Sequence, residues 1–225
     1  MIRRPPRSKL FPYTTLFRST PAVEGDRRYH LELNQLSIER KGTFAGSTGL
    51  DLDSFVHFGI HDVKLNWFES GAVMRSTVAG YTVYGVMRHV TANVCRYGFW
   101  IKPISSNAIT LDHCRSNGAG KTINATTGAY DAAGVAVYGM ILEDVNGTAL
   151  IHPKVDFADT GIWFREVTPG TNYYNGCSFP RVEDTNTAIL VDAGVDGTAI
   201  VGGGATSFAT AALTDNGTGT VKLGW

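Results

Sequence analysis

Apolar residues recur along this chain in short alternating runs such as "HLELNQLSI", "VHFGIHDVKLNW", "GYTVYGV" and "TAILVDA", broken by Gly, Asn, Asp and Ser. Alternation with a period of two marks strands with one buried face. The i, i+3, i+4 spacing of an amphipathic helix is nearly absent from about residue 28 onward. Runs this short predict an all-β sandwich, barrel or solenoid, and internal repeats decide among them.

The phrases "TGLDLD", "SGAVMR", "YGFWIK", "AGVAVY", "TGIWFR", "NTAILV" and "ATAALT" align on Gly49, Gly71, Gly98, Gly134, Gly161, Thr187 and Thr210, at intervals of 22, 27, 36, 27, 26 and 23 residues. Sandwich hairpins turn every ~8–12 residues, so these longer intervals predict coils built from several short strands. The expectation is an all-β solenoid, a parallel β-helix of about seven coils over roughly residues 30–222. One position after each anchor stand Leu50, Ala72, Phe99, Val135, Ile162, Ala188 and Ala211. Three positions after stand Leu52, Met74, Ile101, Val137, Phe164, Leu190 and Leu213. All are apolar and are expected to stack inward, about 4.8 Å apart. Upstream, Val63 falls over Val90, Leu65 over Ala92 and Trp67 over Val94. The 36-residue interval holds "GAGKTINATTGAYDA", expected to be a loop inserted at a corner.

Twenty basic and twenty acidic residues leave no net charge, which argues against a nucleic-acid partner. No apolar run approaches the ~20 residues of a bilayer helix, so membrane insertion is not expected. Cys95, Cys114 and Cys177 lack C-x-x-C spacing and read as small buried hydrophobes. No phosphate loop, nucleophile elbow or metal motif stands out, so neither a cofactor nor a metal is expected. His57 and His61 lie four apart, about 13 Å along a strand, too far for one metal. All six histidines read as dispersed surface residues. Residues 1–19 are basic and free of acids, and they share no pattern with the rest. "LFPYTTLFRS" resembles the in-frame translation of a short-read sequencing adaptor. That segment is expected to be a non-native leader outside the fold, preceding an N-terminally truncated β-helix domain at residues 20–225.

The "x-G-h-x-h" phrases and the rung "FGIHDVKLNWFESGAVM", echoed by "YGVMRHVTANVCRYGFWI", resemble the right-handed parallel β-helix of the pectin-lyase-like superfamily, in its bacteriophage tail-spike branch. The resemblance covers residues 30–225. It implies a homotrimer on a virion tail or outside the cell that binds, and in some members depolymerises, a bacterial surface polysaccharide. A secreted β-helix hydrolase or lyase and a non-catalytic stalk are the alternatives, because a fold does not by itself specify an activity.

Hydrolysis of a glycan needs two carboxyl groups, about 5–5.5 Å apart for retention and 6.5–9.5 Å for inversion. Glu166, Asp192 and Asp215 fall five positions after their anchors and are the candidate catalytic ladder. Strand-end acids are also ordinary turn residues. Asp156 and Asp159 form a second candidate, with Glu69, Arg96 and Asp159 reading as an ion-pair ladder. Lys102 and Arg165 share one offset, as a lyase base would need, and Asp51 and Asp53 suggest a calcium corner.

Two positions after the anchors, an outward column runs Asp51, Val73, Trp100, Ala136, Trp163, Ile189 and Ala212. Beyond its first rung this strip is apolar throughout. Trp100, Trp163, Val73 and Ile189 are therefore expected to form a subunit interface, with a sugar platform as the alternative.

Overall fold

The computed structural model describes residues 15–19, 31–55, 57–75, 84–102, 108–118, 122–124, 127 and 134–224, with backbone alone for 15–19 and for 122–123. Its described strands wind into a right-handed parallel β-helix, three strands to a full coil, without an α-helix among them. The first sheet stacks Thr48–Asp53, Ser70–Arg75, Tyr97–Ile101, Tyr138–Glu143, Thr160–Arg165, Thr187–Val191 and Ala211–Asp215. The second stacks Leu31–Asn34, Phe58–His61, Gly85–Arg88, Thr110–Asp112, Ala149–Ile151, Gly176–Ser178, Ala199–Val201 and Val221–Leu223. The third runs from Ser37–Glu39 through Lys64–Asn66, Thr91–Asn93, Arg115–Asn117, Lys154–Asp156 and Arg181–Glu183 to Gly204–Thr206. The strand Thr15–Ser19 pairs in parallel with Thr48–Asp53, so part of the segment expected to stand outside the fold extends the first sheet. An unpaired sheet edge accepts any extended backbone.

One core runs down the axis. The first sheet contributes Leu50, Ala72, Phe99, Met140, Ile162 and Ile189 in one register column, and Leu52, Met74, Ile101, Leu142, Phe164 and Val191 in a second; all are buried. The second sheet adds Ile60, Met87, Leu111, Leu150, Cys177 and Ile200. The third adds Ile38, Leu65, Ala92, Val155 and Val182.

The anchor glycines have a steric reason. A Cβ at Gly98 would sit 2.1 Å from Ser116 Oγ and 2.4 Å from the Gly139 carbonyl oxygen. One at Gly161 would sit 2.6 Å from Val182 and 2.5 Å from the Ala188 carbonyl oxygen. Each coil enters the first sheet by crossing hard against the third, where a side chain is crowded.

Three anchors are corrected. The fourth coil starts its first-sheet strand at Gly139, so the interval from Gly98 is 139 − 98 = 41 residues rather than 36. Val135 and Ala136 instead pair antiparallel with Ile123 and Thr122 inside the insertion. "AGVAVY" and "YGMILE" carry the same pattern five residues apart. Of the two, the second brings Met140 and Leu142 to the core columns, opposite Phe99 and Ile101. Further on, Ile162 pairs with Ile189 and Ile189 with Leu213, which puts Ala188 and Ala212 at the anchor position rather than Thr187 and Thr210. Ile189 therefore points inward and is fully buried, and Leu190 takes the outward place. Alanine occupies the tight corner in these two coils, which removed the glycine cue.

Two expectations test this register. Phe164→Ala should cost about 3–5 kcal/mol and Ile189→Ala about 2–5 kcal/mol in urea unfolding, with Leu190→Ala costing clearly less; equal losses at Ile189 and Leu190 would contradict the inward place of Ile189. Burial also pushes the thiols of Cys95 and Cys114 up to about 12, and that of Cys177 higher still. All three should resist an aromatic disulfide reagent in the native protein and react together after denaturation. Rapid labelling of any one in the folded state would mean that it is accessible.

Candidate functional site

Strand alternation brings a second set of columns to the outside of the first sheet. Asp51, Val73, Trp100, Ile141, Trp163, Leu190 and Thr214 share one register position. Two residues further along lies a charged row, Asp53, Arg75, Lys102, Glu143, Arg165 and Asp192, placed by the pairs Asp53–Arg75, Ile101–Leu142, Glu143–Arg165 and Phe164–Val191. Oppositely charged side chains thus stack on neighbouring coils at every step except Arg75 beside Lys102, where two cations meet.

The tryptophans point out but do not stand alone. Residues three apart on a regular strand face opposite sides. Here Gly98 lies between Tyr97 and Trp100, whose rings meet with centroids 4.6 Å apart. Tyr97 stacks on Tyr138 at 5.6 Å and 5°, and Tyr138 on Trp163 at 5.6 Å and 28°. Four rings from three successive coils form one half-buried row parallel to the axis. Val73 and Ile141, on the same register column as the indoles, are buried at 7% and 1% exposure. The strip expected to be apolar throughout is therefore an aromatic row in which the aliphatic Val73 and Ile141 are buried and Leu190 is half-buried.

Charged groups hold the row in place. The Trp100 indole N–H donates to Glu143 Oε2 at 3.2 Å, and that of Trp163 donates to Asp192 Oδ1 at 2.9 Å. Glu143 Oε2 also accepts from Arg165 at 2.8 Å, and the Arg165 guanidinium lies 4.8 Å from the Trp163 ring centroid. Lys102 Nζ sits 3.8 Å from the centroid of Trp100. Desolvation lowers the Lys102 pKa, opposed by Glu143 and assisted by Arg75. Burial, chiefly, raises that of Tyr97. Beside Trp100 opens a recess of about 260 Å³ between Gly46, Asp51, Ser70, Arg75 and Lys102. Arg75 grips Asp51 there in a two-pronged pair, at 2.9 and 2.6 Å. This arrangement places half-buried aromatic rings, bound carboxylates and cationic groups side by side on one outward face.

The predicted carboxylates do not converge. With Ala188 and Ala212 at the anchor position, Glu166, Asp192 and Asp215 stand five, four and three positions after it, in three different columns. Asp215 shares the column of Val191 and Phe164 and is held by Lys222 at 2.7 Å. Its carboxyl lies below the usual range because hydrogen bonds from Lys222, Gly217 and Thr220 outweigh desolvation, the largest single influence. Glu166 Oε1 accepts from the Gly170 backbone at 2.5 Å and serves its own turn. Only Asp192 joins the aromatic row. Glu69 pairs with Arg96 at 3.1 Å, as expected. Asp159 instead accepts from the Val137 amide and from Asn186, and buried Asp156 binds Arg115 at 2.9 Å in the third sheet. Lys102 and Arg165 do share an offset, one coil to either side of Glu143. The Asp51–Asp53 corner is occupied by Arg75, 3.9 Å from Asp53.

Sequence reasoning missed Tyr97, Tyr138 and Glu143, and it dispersed histidines that the fold gathers. His89, His113 and His152 stand on successive coils, each two residues before its third-sheet strand, in "RHVTAN", "DHCRSN" and "IHPKVD". That shared offset was the available signal. No protein-family model, curated protein or solved structure matches this chain.

Proposed function

We propose that this β-helix binds a bacterial surface polysaccharide laid along the outside of its first sheet. The observation that carries the reading is the row of Tyr97, Trp100, Tyr138 and Trp163, with Lys102, Glu143, Arg165 and Asp192 beside it. A pyranose ring presents C–H groups on its faces and hydroxyls at its rim. The C–H groups meet the negative face of an aromatic ring, and the hydroxyls meet charged hydrogen-bonding groups at its edge. A row along the axis offers the same contact on successive coils, which suits a polymer better than a single sugar. The resemblance to tail-spike proteins supports the same reading and extends it to a homotrimer on a virion tail or outside the cell.

Binding is the part of this reading that the site geometry supports. Cleavage rested on Glu166, Asp192 and Asp215 sharing a column, and their registers differ. Subunit packing rested on a continuous apolar strip that included Ala136 and Ile189. Ala136 lies in the insertion hairpin and Ile189 in the core.

The double change Trp100→Ser and Trp163→Ser separates the two uses of this face. Titration calorimetry against capsular or O-antigen polysaccharides that bind the parent protein should show affinity falling at least about tenfold, a loss of about 1.4 kcal/mol or more. Oligomeric state by light scattering should stay as in the parent. If the oligomer falls apart while each subunit still binds glycan at parental strength, the row is a subunit interface and this assignment of the face is wrong.

A further inference from the structure

The corner between the second and third sheets is made by one residue per coil in the left-handed region: Gln35, Asp62, His89, His113, His152, Phe179 and Gly202, with φ between 47° and 60°. A single left-handed residue turns the chain sharply between two strands. Asn, Asp and His adopt that conformation more readily than most residues with a Cβ. Because every coil turns at the same offset, the corner side chains form an outward column. His89 meets His113 edge-on at 5.4 Å, His113 meets His152 at 4.5 Å, and His152 stacks on Phe179 at 5.3 Å.

Beside this column stands Asp112. Its Oδ1 lies 2.6 Å from His113 Nδ1, and its Oδ2 accepts from Arg88 Nε at 2.8 Å. One donor atom from each of Asp112, His113 and His152 lies within 4.8 Å of the other two. His89 is directed elsewhere, with Nδ1 3.4 Å from Asp62 Oδ1 on the preceding coil. Two imidazoles and one carboxylate from adjacent coils therefore converge on one point, on a different part of the surface from the aromatic row.

We propose that Asp112, His113 and His152 bind a divalent transition-metal cation of the zinc or nickel class, clamping two successive coils together. The donor set decides the class: imidazole nitrogen suits zinc and nickel, whereas magnesium and calcium take oxygen almost throughout. A tetrahedral ion with bonds of about 2.0–2.1 Å keeps its donors roughly 3.3 Å apart. The Asp112–His113 contact is shorter than that, and the cluster as a whole is within 4.8 Å, so entry of the ion spreads one pair and draws the third donor in. His113 and His152 are exposed, and rotation about their side-chain bonds supplies those shifts. The ion takes the place of the direct Asp112–His113 contact. Arg88 fixes the carboxylate through its other oxygen, as an outer partner does for a ligating group. Phe179 covers the far face of His152 and restrains its ring. Water completes the coordination.

Calorimetric titration of the untagged, chelator-treated chain with zinc chloride and nickel chloride tests the assignment. One saturable site per chain is expected, with a thermal unfolding midpoint that rises as metal is added. His113→Asn and His152→Asn should each weaken binding by about tenfold or more and remove the metal-dependent rise in midpoint. Asparagine retains the tolerance for left-handed backbone, so circular dichroism and the metal-free midpoint should match the parent. His57→Asn, a histidine outside the cluster, should bind as the parent does. The proposal is overturned if neither metal binds saturably up to millimolar concentration, or if both corner variants keep parental affinity.

Discussion

Every strand of the three sheets depends on in-register parallel stacking. A strand in one coil finds its hydrogen-bond partners only in the coils before and after it, so backbone donors and acceptors are satisfied between turns rather than within them. That requirement locks residues at one offset into columns. Inside the helix the columns must be apolar and of matching size, as Phe99, Met140 and Ile162 are, or polar with partners. Asn172 and Asn175 show the second solution: Asn172 donates to the carbonyls of Leu142 and Arg165 at 2.8 and 2.7 Å. Asn175 donates to the Val145 carbonyl at 2.9 Å and to Asn172 at 2.7 Å. Buried amides placed this way complete the bonding of a corner that the sheets leave open.

The same constraint organises the surface. Once coils are locked in register, residues some 22 to 43 apart in sequence become neighbours, and a small bias at one offset becomes an extended feature. On the first sheet the bias is aromatic beside charged. The indole of Trp100 is held by a carboxylate 43 residues away, and that of Trp163 by one 29 residues away. Indole N–H groups committed to Glu143 and Asp192 fix the rings, so the polysaccharide proposed for this face would meet preorganised groups, and ordering them would cost less on binding. Glu143 is the central member, accepting from Trp100 and Arg165 while lying between Lys102 and Arg165 in register. At the corner between the second and third sheets the bias is toward imidazole, and the same stacking brings together three rings that the sequence separates by 24 and 39 residues.

Several features were legible in the sequence because they depend on local pattern alone. Alternation marked the strands, and repeat spacing beyond hairpin length marked a solenoid. Gly49, Gly71, Gly98 and Gly161 marked the crowded entry to the first sheet. The inward places of Phe99, Ile101, Ile162 and Phe164 followed from those anchors, as did the burial of all three cysteines. What required the tertiary structure was the relative register of coils wherever the pattern repeated within a coil or lost its glycine. Val135 and Met140 compete for the same place with identical local patterns, and only the packing of a whole coil against both neighbours selects Met140. Ala188 and Ala212 stand where glycine stood before, so counting from Thr187 turned Ile189 outward, and counting from Thr187 and Thr210 aligned Glu166, Asp192 and Asp215 falsely. A one-residue error on a strand reverses every side chain. Core columns tolerate such an error on paper, because several nearby residues are apolar. Site columns do not, because their chemistry depends on which single side chain points out. The sequence by itself therefore determined the solenoid and most of its core. The aromatic row, its carboxylates and the histidine corner were decided by contacts between coils that no local pattern encodes.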